Sequence, residues 1–184
     1  MIIGIAGTIG AGKGTVVAYL QGKGFAHYSS SSLLKEILDE RGLPATRLNL
    51  STLADELSAT HPGGVLHLSH AQAQKEGVTN YVLEAIHRES EAAYIRSIGG
   101  IILGVDADIS TRYKRTTKRG EGEKDDVTFE EFLENAKRED EGKGATGANI
   151  RAVLREADAV VMNDGSPGEL YTQVEAVLEE IARK

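Results

Sequence analysis

The stretch Ile2-Ile3-Gly4-Ile5-Ala6-Gly7-Thr8-Ile9-Gly10-Ala11-Gly12-Lys13-Gly14-Thr15 decides the reading of this chain. Its first part is a short apolar run bounded by glycine, as expected of a strand buried on both faces. From Gly7 it matches G-x-x-x-x-G-K, and Val16, Val17 and Leu20 then fall at helical spacing. Strand, glycine-rich turn, lysine and helix form the context in which this spacing cradles phosphate. Glycines let the backbone turn and aim its N–H groups inward. The helix N-terminus adds partial positive charge, and Lys13 is placed to bridge terminal phosphates. Gly7, Thr8, Ile9, Gly10, Ala11, Gly12, Lys13, Gly14 and Thr15 are therefore the candidate nucleotide-binding residues. The residue after Lys13 is Gly14, and the hydroxyl comes one step later at Thr15. A metal ion here is expected to be held mostly by phosphates and water, which suits Mg²⁺.

Short apolar runs recur along the chain, each followed by a helical pattern. Phe25–Tyr28, Tyr81–Ile86, Ile101–Val105 and Ala159–Met162 are the further strand candidates. Leu33, Leu34, Ile37 and Leu38 mark a helix that starts in the serine run Ser29–Ser32, where a hydroxyl can cap it, and stops at Gly42. Leu50, Leu53, Ala54 and Leu57 predict a helix over 47–59, with others at 65–76, 89–98, 109–119, 129–140, 150–157 and 168–182. Strands alternating with helices predict an α/β protein: a three-layer P-loop fold with a five-stranded parallel sheet and helices on both faces. The 184 residues read as one domain. A helical insertion at 29–77 is expected on the substrate side, and a second insertion, rich in charge and glycine, follows the fourth strand. Both follow the carboxyl ends of strands, where ligands bind in open α/β sheets.

Acidic residues outnumber basic ones by 28 to 21, a net charge of −7 that argues against a general nucleic-acid binder. The absence of cysteine excludes disulfides, thiolate zinc sites and cysteine nucleophiles. No apolar run approaches the roughly 20 residues that span a bilayer, and Met1–Gly10 lacks the basic start of a signal peptide. The expected setting is the cytoplasm. The expected partner is a small molecule, with no nucleic acid or membrane, and the expected state a monomer or homodimer.

The wording from Gly7 to Thr15 resembles that of adenylate kinase-type nucleoside monophosphate kinases. More of the chain resembles the short P-loop kinases described as dephospho-CoA kinase-like or adenylate kinase-like. The matching stretches are 41–47, 50–57, 104–108, Arg112–Arg115 with Arg119, 129–132, Asn149-Ile150 and 157–165. The resemblance implies a phosphotransferase that moves the γ-phosphoryl of ATP, with Mg²⁺, to a small nucleotide. It implies a small lid over 110–147, lined by Arg115 and Arg119, which meet the triphosphate and act in catalysis, and makes 29–77 the acceptor-binding insertion. Arg112, Arg115 and Arg119 share one helix face, and five of the eight residues 112–119 are Arg or Lys. A guanidinium there supplies bidentate contacts to a transferring phosphoryl group. Gly120 and Gly122 are hinge candidates. The loop containing Asn163 and Gly165 approaches adenine in the kinases it resembles. Relatives often carry Asp-Gly-x-Arg after the third strand, whereas this chain has Glu84-Ala85-Ile86-His87 followed by Arg88. Glu84 keeps an acidic role near magnesium, so Thr15 and Glu84 are the metal candidates. His87 lacks the permanent charge of arginine.

On the acceptor side the candidates are Ser30, Arg41, Arg47, His87 and Arg88. Dephospho-CoA kinases place an aspartate soon after the second strand as a base, and this chain has His27-Tyr28-Ser29-Ser30 there. Phosphorylating a hydroxyl benefits from a general base, whereas phosphorylating an ionised phosphate does not. The missing carboxylate favours a nucleotide phosphate as acceptor, with His27 the substitute base for a hydroxyl. Two alternatives stay open: a dephospho-CoA kinase-like enzyme, and a nucleotide-binding regulatory protein with little turnover. His61, His67 and His70 do not read as a metal set, because only His67 and His70 share a helix face and no carboxylate completes it. Gly142–Gly147 lacks the spacing of a second phosphate loop and reads as a connector.

Overall fold

The computed structural model describes residues 1–119, 127–140 and 149–183, without the side chains of Arg47, Arg119, Glu139 and Asp140. Strands β1 (Ile2–Gly7), β2 (Ala26–Ser29), β3 (Tyr81–Ile86), β4 (Ile101–Asp106) and β5 (Ala159–Met162) form one parallel sheet in the order β2-β3-β1-β4-β5. The central strand β1 is buried on both faces, which is why its sequence is apolar without alternation. On one face, Ile3, Ile5, Val82 and Leu103 meet Val16 and Leu20 of α1 (Lys13–Gly22) and Leu170 and Val174 of α9 (Pro167–Ala182). On the other, Leu83, Ile86 and Ile102 meet Leu66 of α4 (Gly64–Lys75), Ile95 of α5 (Glu89–Ser97) and Val153 of α8 (Ile150–Arg155). Full burial of each such side chain contributes about 1.5–3 kcal/mol. The three-layer α/β arrangement is the one the sequence predicts.

Between β2 and β3 the chain forms α2 (Ser30–Glu40), α3 (Arg47–Thr60) and α4. Leu34, Leu38, Leu53 and Val65 give these helices an apolar cluster of their own. Helices α6 (Ile109–Arg119) and α7 (Phe129–Asp140) follow β4, and Tyr113 packs on Phe129 and Phe132 at 5.1 and 5.6 Å.

Local chemistry sets the boundaries. The hydroxyl of Ser29 accepts from Ser32 N at 3.3 Å and starts α2, while Ser166 and Glu169 form a reciprocal capping box on α9. Strand β2 starts one residue later than predicted, because Phe25 N closes α1 by donating to Leu20 O. Helix α8 stops at Arg155, short of the predicted 157, because Asp158 joins β4: Asp158 N donates to Ile102 O and Ile102 N to Asp158 Oδ2. Strand β3 carries an irregularity at its carboxyl end, where Ile5 pairs with Glu84 but Ala6 pairs with Ile86, and the Glu84–Ala85 peptide is cis. At the edge strand β5, Gln173 of α9 spans Met162, accepting from its N–H and donating to its carbonyl, both at 2.9 Å. No helix among the described residues is long and apolar enough to cross a membrane.

Candidate functional site

Strand β1 delivers Gly7 to the carboxyl edge at the middle of the sheet, and the chain turns through Gly10 and Gly12 into α1. Gly10 (φ +75°) and Gly12 (φ +95°) occupy the left-handed region that strains any side chain. The turn is also tightly flanked. A Cβ on Gly10 would stand 2.5 Å from the Arg112 carbonyl of α6, and one on Gly12 would collide with the Asn163 amide. Asn163 is buried and its Nδ2 donates to Ala11 O at 2.8 Å, so the β5–α9 turn pins the loop from one side. Arg115 joins this turn, its guanidinium donating to Asn163 Oδ1 at 3.4 Å. Lys13 donates to the carbonyls of Gly7 and Thr8 at 2.9 and 3.2 Å. Gly14 and Thr15 face open space at the start of α1, and Ile9 is half-buried.

Beneath the loop lies Asp106, the last residue of β4, which the sequence reading did not single out. It is 7% exposed. Its Oδ1 accepts from the Thr8 hydroxyl at 2.7 Å and from Ala107 N at 2.9 Å, and its Oδ2 from Arg151 at 2.6 Å. The buried Arg112 stands at 3.9 Å. One carboxylate thus gathers the loop, β4, α6 and α8. The available signal was an aspartate closing an apolar run at the carboxyl end of a strand, inside a stretch already matched to kinases.

Across the cleft, the end of β3 presents Glu84, His87 and Arg88. His27 of β2 and Glu84 lie on the same sheet face and meet at 2.9 Å. The His27 bond holds the Glu84 carboxyl below its usual range against the opposing effect of burial, and the nearby Lys13 charge adds to the lowering. His87 presents surface to solvent yet is crowded by protein. That crowding, then the charges of Lys13 and Arg88, push it down to about 4. The corner is shaped by Glu91, a buried carboxylate whose Oε2 accepts from the N–H groups of His87 and Arg88 at 2.8 and 3.1 Å. Burial raises the Glu91 carboxyl despite these bonds.

The acceptor candidates are more dispersed. Arg88 bonds Asp55 of α3 at 2.5 Å, and Arg41 makes a two-pronged pair with Glu56 of α3 at 2.9 and 3.0 Å. Both arginines are thereby tied to neighbouring carboxylates of one helix, Arg41 on the helical cluster and Arg88 at the cleft. Ser30 is buried at the start of α2, and its hydroxyl has no hydrogen-bond partner among the described residues. Gly165 lies in the exposed β5–α9 turn beside Glu169. The side chains of Arg47 and Arg119, and Gly120, Gly122 and Gly142–Gly147, lie outside the described residues.

The donor set fits a polyphosphate: the start of a helix, an ammonium, and a guanidinium on the flank. For Mg²⁺ the fit is partial. The Thr15 hydroxyl and Glu84 carboxylate are hard oxygen donors, but Glu84 already holds His27, and no three acidic or histidine side chains cluster as a metal set among the described residues.

The AAA domain family model matches residues 3–142. A UPF0200 protein of Pyrococcus horikoshii is 28% identical, the alignment covering 98% of this chain and 97% of that one. Among solved structures, dephospho-CoA kinase from Campylobacter jejuni superposes with a TM-score of 0.58 at 18% identity, covering 99% of this chain and 98% of that one. Shikimate kinase from Bacteroides thetaiotaomicron gives 0.61 at 12% identity, with 99% and 98% covered. These two likenesses concern the fold. The glycine turn gripped between β4 and the β5–α9 loop is thus set in a kinase-type sheet, and the chain belongs to the AAA domain family with the fold of the P-loop kinases.

Proposed function

We propose that this protein is an ATP-dependent phosphotransferase acting on a small nucleotide-type acceptor. The observation that carries the reading is the Gly7–Thr15 loop: Lys13 stands at the start of α1, Arg115 and Asn163 on one flank, and Glu84 and His87 across the cleft. When bound, ATP supplies the phosphoryl group and Mg²⁺ offsets its charge. The protein's contribution is positioning and preorganised positive charge from the loop amides, Lys13 and Arg115. The acceptor is placed at the carboxyl ends of β2 and β3, walled by α2–α4, with Ser30, Arg41, Arg47, His87 and Arg88 as its binding candidates.

A nucleoside monophosphate, whose phosphate is already ionised, needs no base. A second reading, a hydroxyl acceptor of the dephospho-CoA kinase type, is favoured by one observation: His27 and Glu84 form the imidazole–carboxylate pair that was absent from the linear reading. A ring held by a carboxylate at one nitrogen offers the other to a hydroxyl proton.

The test is ADP release from Mg-ATP with AMP, dAMP, TMP, CMP, GMP, UMP or dephospho-CoA, alongside direct binding of a fluorescent ATP analogue. Acceptor-dependent turnover that falls about 100- to 1000-fold in Lys13→Ala is expected. Failure to bind the analogue overturns the reading. Tight binding without acceptor-dependent turnover points to the regulatory alternative.

A further inference from the structure

Away from the phosphate loop, three histidines and two tyrosines gather where α3 meets α4 and α5. His61, which caps α3, lies ring on ring with His67 of α4: the centroids are 3.8 Å apart and the planes differ by 17°. Both rings stand edge-on to Tyr94 of α5, at 5.2 and 6.0 Å. His70 reaches Tyr94 at 6.2 Å and bonds the Tyr81 hydroxyl through Nδ1 at 2.6 Å. The Tyr94 ring rests on Gly63, where an added Cβ would stand 2.6 Å from it.

The stack fixes the role of one ring nitrogen. His61 Nδ1 accepts from Gly63 N at 3.0 Å, so its proton resides on Nε2, and a second proton would displace that bond. Two imidazolium rings stacked at this separation would also repel. The other groups of the joint are His70 from α4, Tyr94 from α5 and Tyr81 from β3, which also receives Gln74, with Ser58 of α3 and Glu91 of α5 beside Gly64. Glu91 is occupied by the His87 and Arg88 amides. Burial holds His67 and His70 below the usual imidazole range, with a further contribution to His67 from His61 and to His70 from His67.

The same cluster connects to the cleft. Glu91 Oε1 faces the start of α4, 3.5 Å from where a Cβ on Gly64 would stand, while its Oε2 holds the His87–Arg88 corner. A shift of α4 away from α5 therefore changes the packing around the carboxylate that shapes the site.

We propose that His61, His67, His70 and Tyr94 form a proton-sensitive joint, which holds α4 against α5 in the stacked arrangement and loosens α4, and through Glu91 the His87–Arg88 corner, when His67 and His70 take up protons. The effect on the site rests on the phosphotransferase reading, whereas the joint itself does not.

Amide hydrogen exchange on the full chain at pH 7.5 and 5.5, corrected for intrinsic rates, tests it. The expected result is exchange in α4 and the first turn of α5 severalfold faster at the lower pH, the sign that rings held below their usual range require, while β1 and β4 stay protected. His61→Asn with His67→Gln keeps an acceptor for Gly63 N but removes both stacked rings, and should suppress most of the response. His67→Gln alone serves if the double variant does not fold, and should reduce it. Unchanged α4 protection in the wild type, an equal response in the variants, or loosening spread evenly through β1 and β4 would overturn the joint. Binding of the fluorescent ATP analogue at pH 7.5 is read separately: its loss overturns the phosphotransferase reading and leaves the joint standing.

Discussion

The Thr8 hydroxyl donates to Asp106 Oδ1 at 2.7 Å, fastening the first turn of the phosphate loop to the end of β4. Both residues are buried, and the same carboxylate holds Arg151. The loop is thus braced from below by charge-assisted bonds, which are about twice as strong as neutral ones.

Removing that brace should cost stability. Asp106→Ala leaves the Thr8 hydroxyl and the nearby Arg112 without their shared carboxylate, and a loss of about 3 kcal/mol is expected in urea unfolding. Thr8→Val, which removes a single bond, should cost about 1–2 kcal/mol. An unchanged unfolding midpoint in Asp106→Ala would show that the carboxylate carries no structural weight.

Gly12→Ala should strain the loop at a positive φ and displace Asn163, costing about 1–3 kcal/mol. Asn163→Ala opens the space but frees the loop. The two changes share a contact, so their costs should not add. Additive effects in a double-mutant cycle would refute the contact.

His87 should remain neutral down to about pH 4, read by NMR titration of its ring protons. The sign follows from the causes: crowding and neighbouring cations both disfavour the protonated ring. Replacing Lys13 with Met removes one of those cations, so the midpoint should move upward. A midpoint near 6.5 in the wild type would contradict the crowding of His87.

Ser166→Ala breaks the capping box of α9 and should cost about 1 kcal/mol in thermal or urea unfolding. Nucleotide binding should be preserved, since Ser166 makes none of the loop's contacts described above. A stability equal to wild type would mean that Glu169 or solvent replaces the cap.

Much of the fold was legible because each strand carries its own boundary. Gly7 closes the run Ile2–Ala6, and Ser29 marks the start of α2 as a cap does. The phosphate loop was equally plain, because its chemistry is contiguous: glycines, lysine and helix start follow one another. What stayed hidden was contact at a distance. Asp106 serves a hydroxyl 98 positions earlier, and His27 meets Glu84 across 57 positions, so neither pairing leaves a local pattern. The stacking of His61 on His67 was missed for a related reason. Helical spacing relates residues within one helix, but His61 lies beyond the end of α3 and reaches His67 through the turn at Gly63.

At the margin of the sheet, the amide of Gln173 imitates a neighbouring backbone, supplying one acceptor and one donor to Met162. A stranger seeking to extend the sheet would find that rung taken on a strand only four residues long. The side chain acts as a built-in terminator, and it lets exposed Val160 and Met162 sit at the rim without inviting runaway stacking of one molecule on the next.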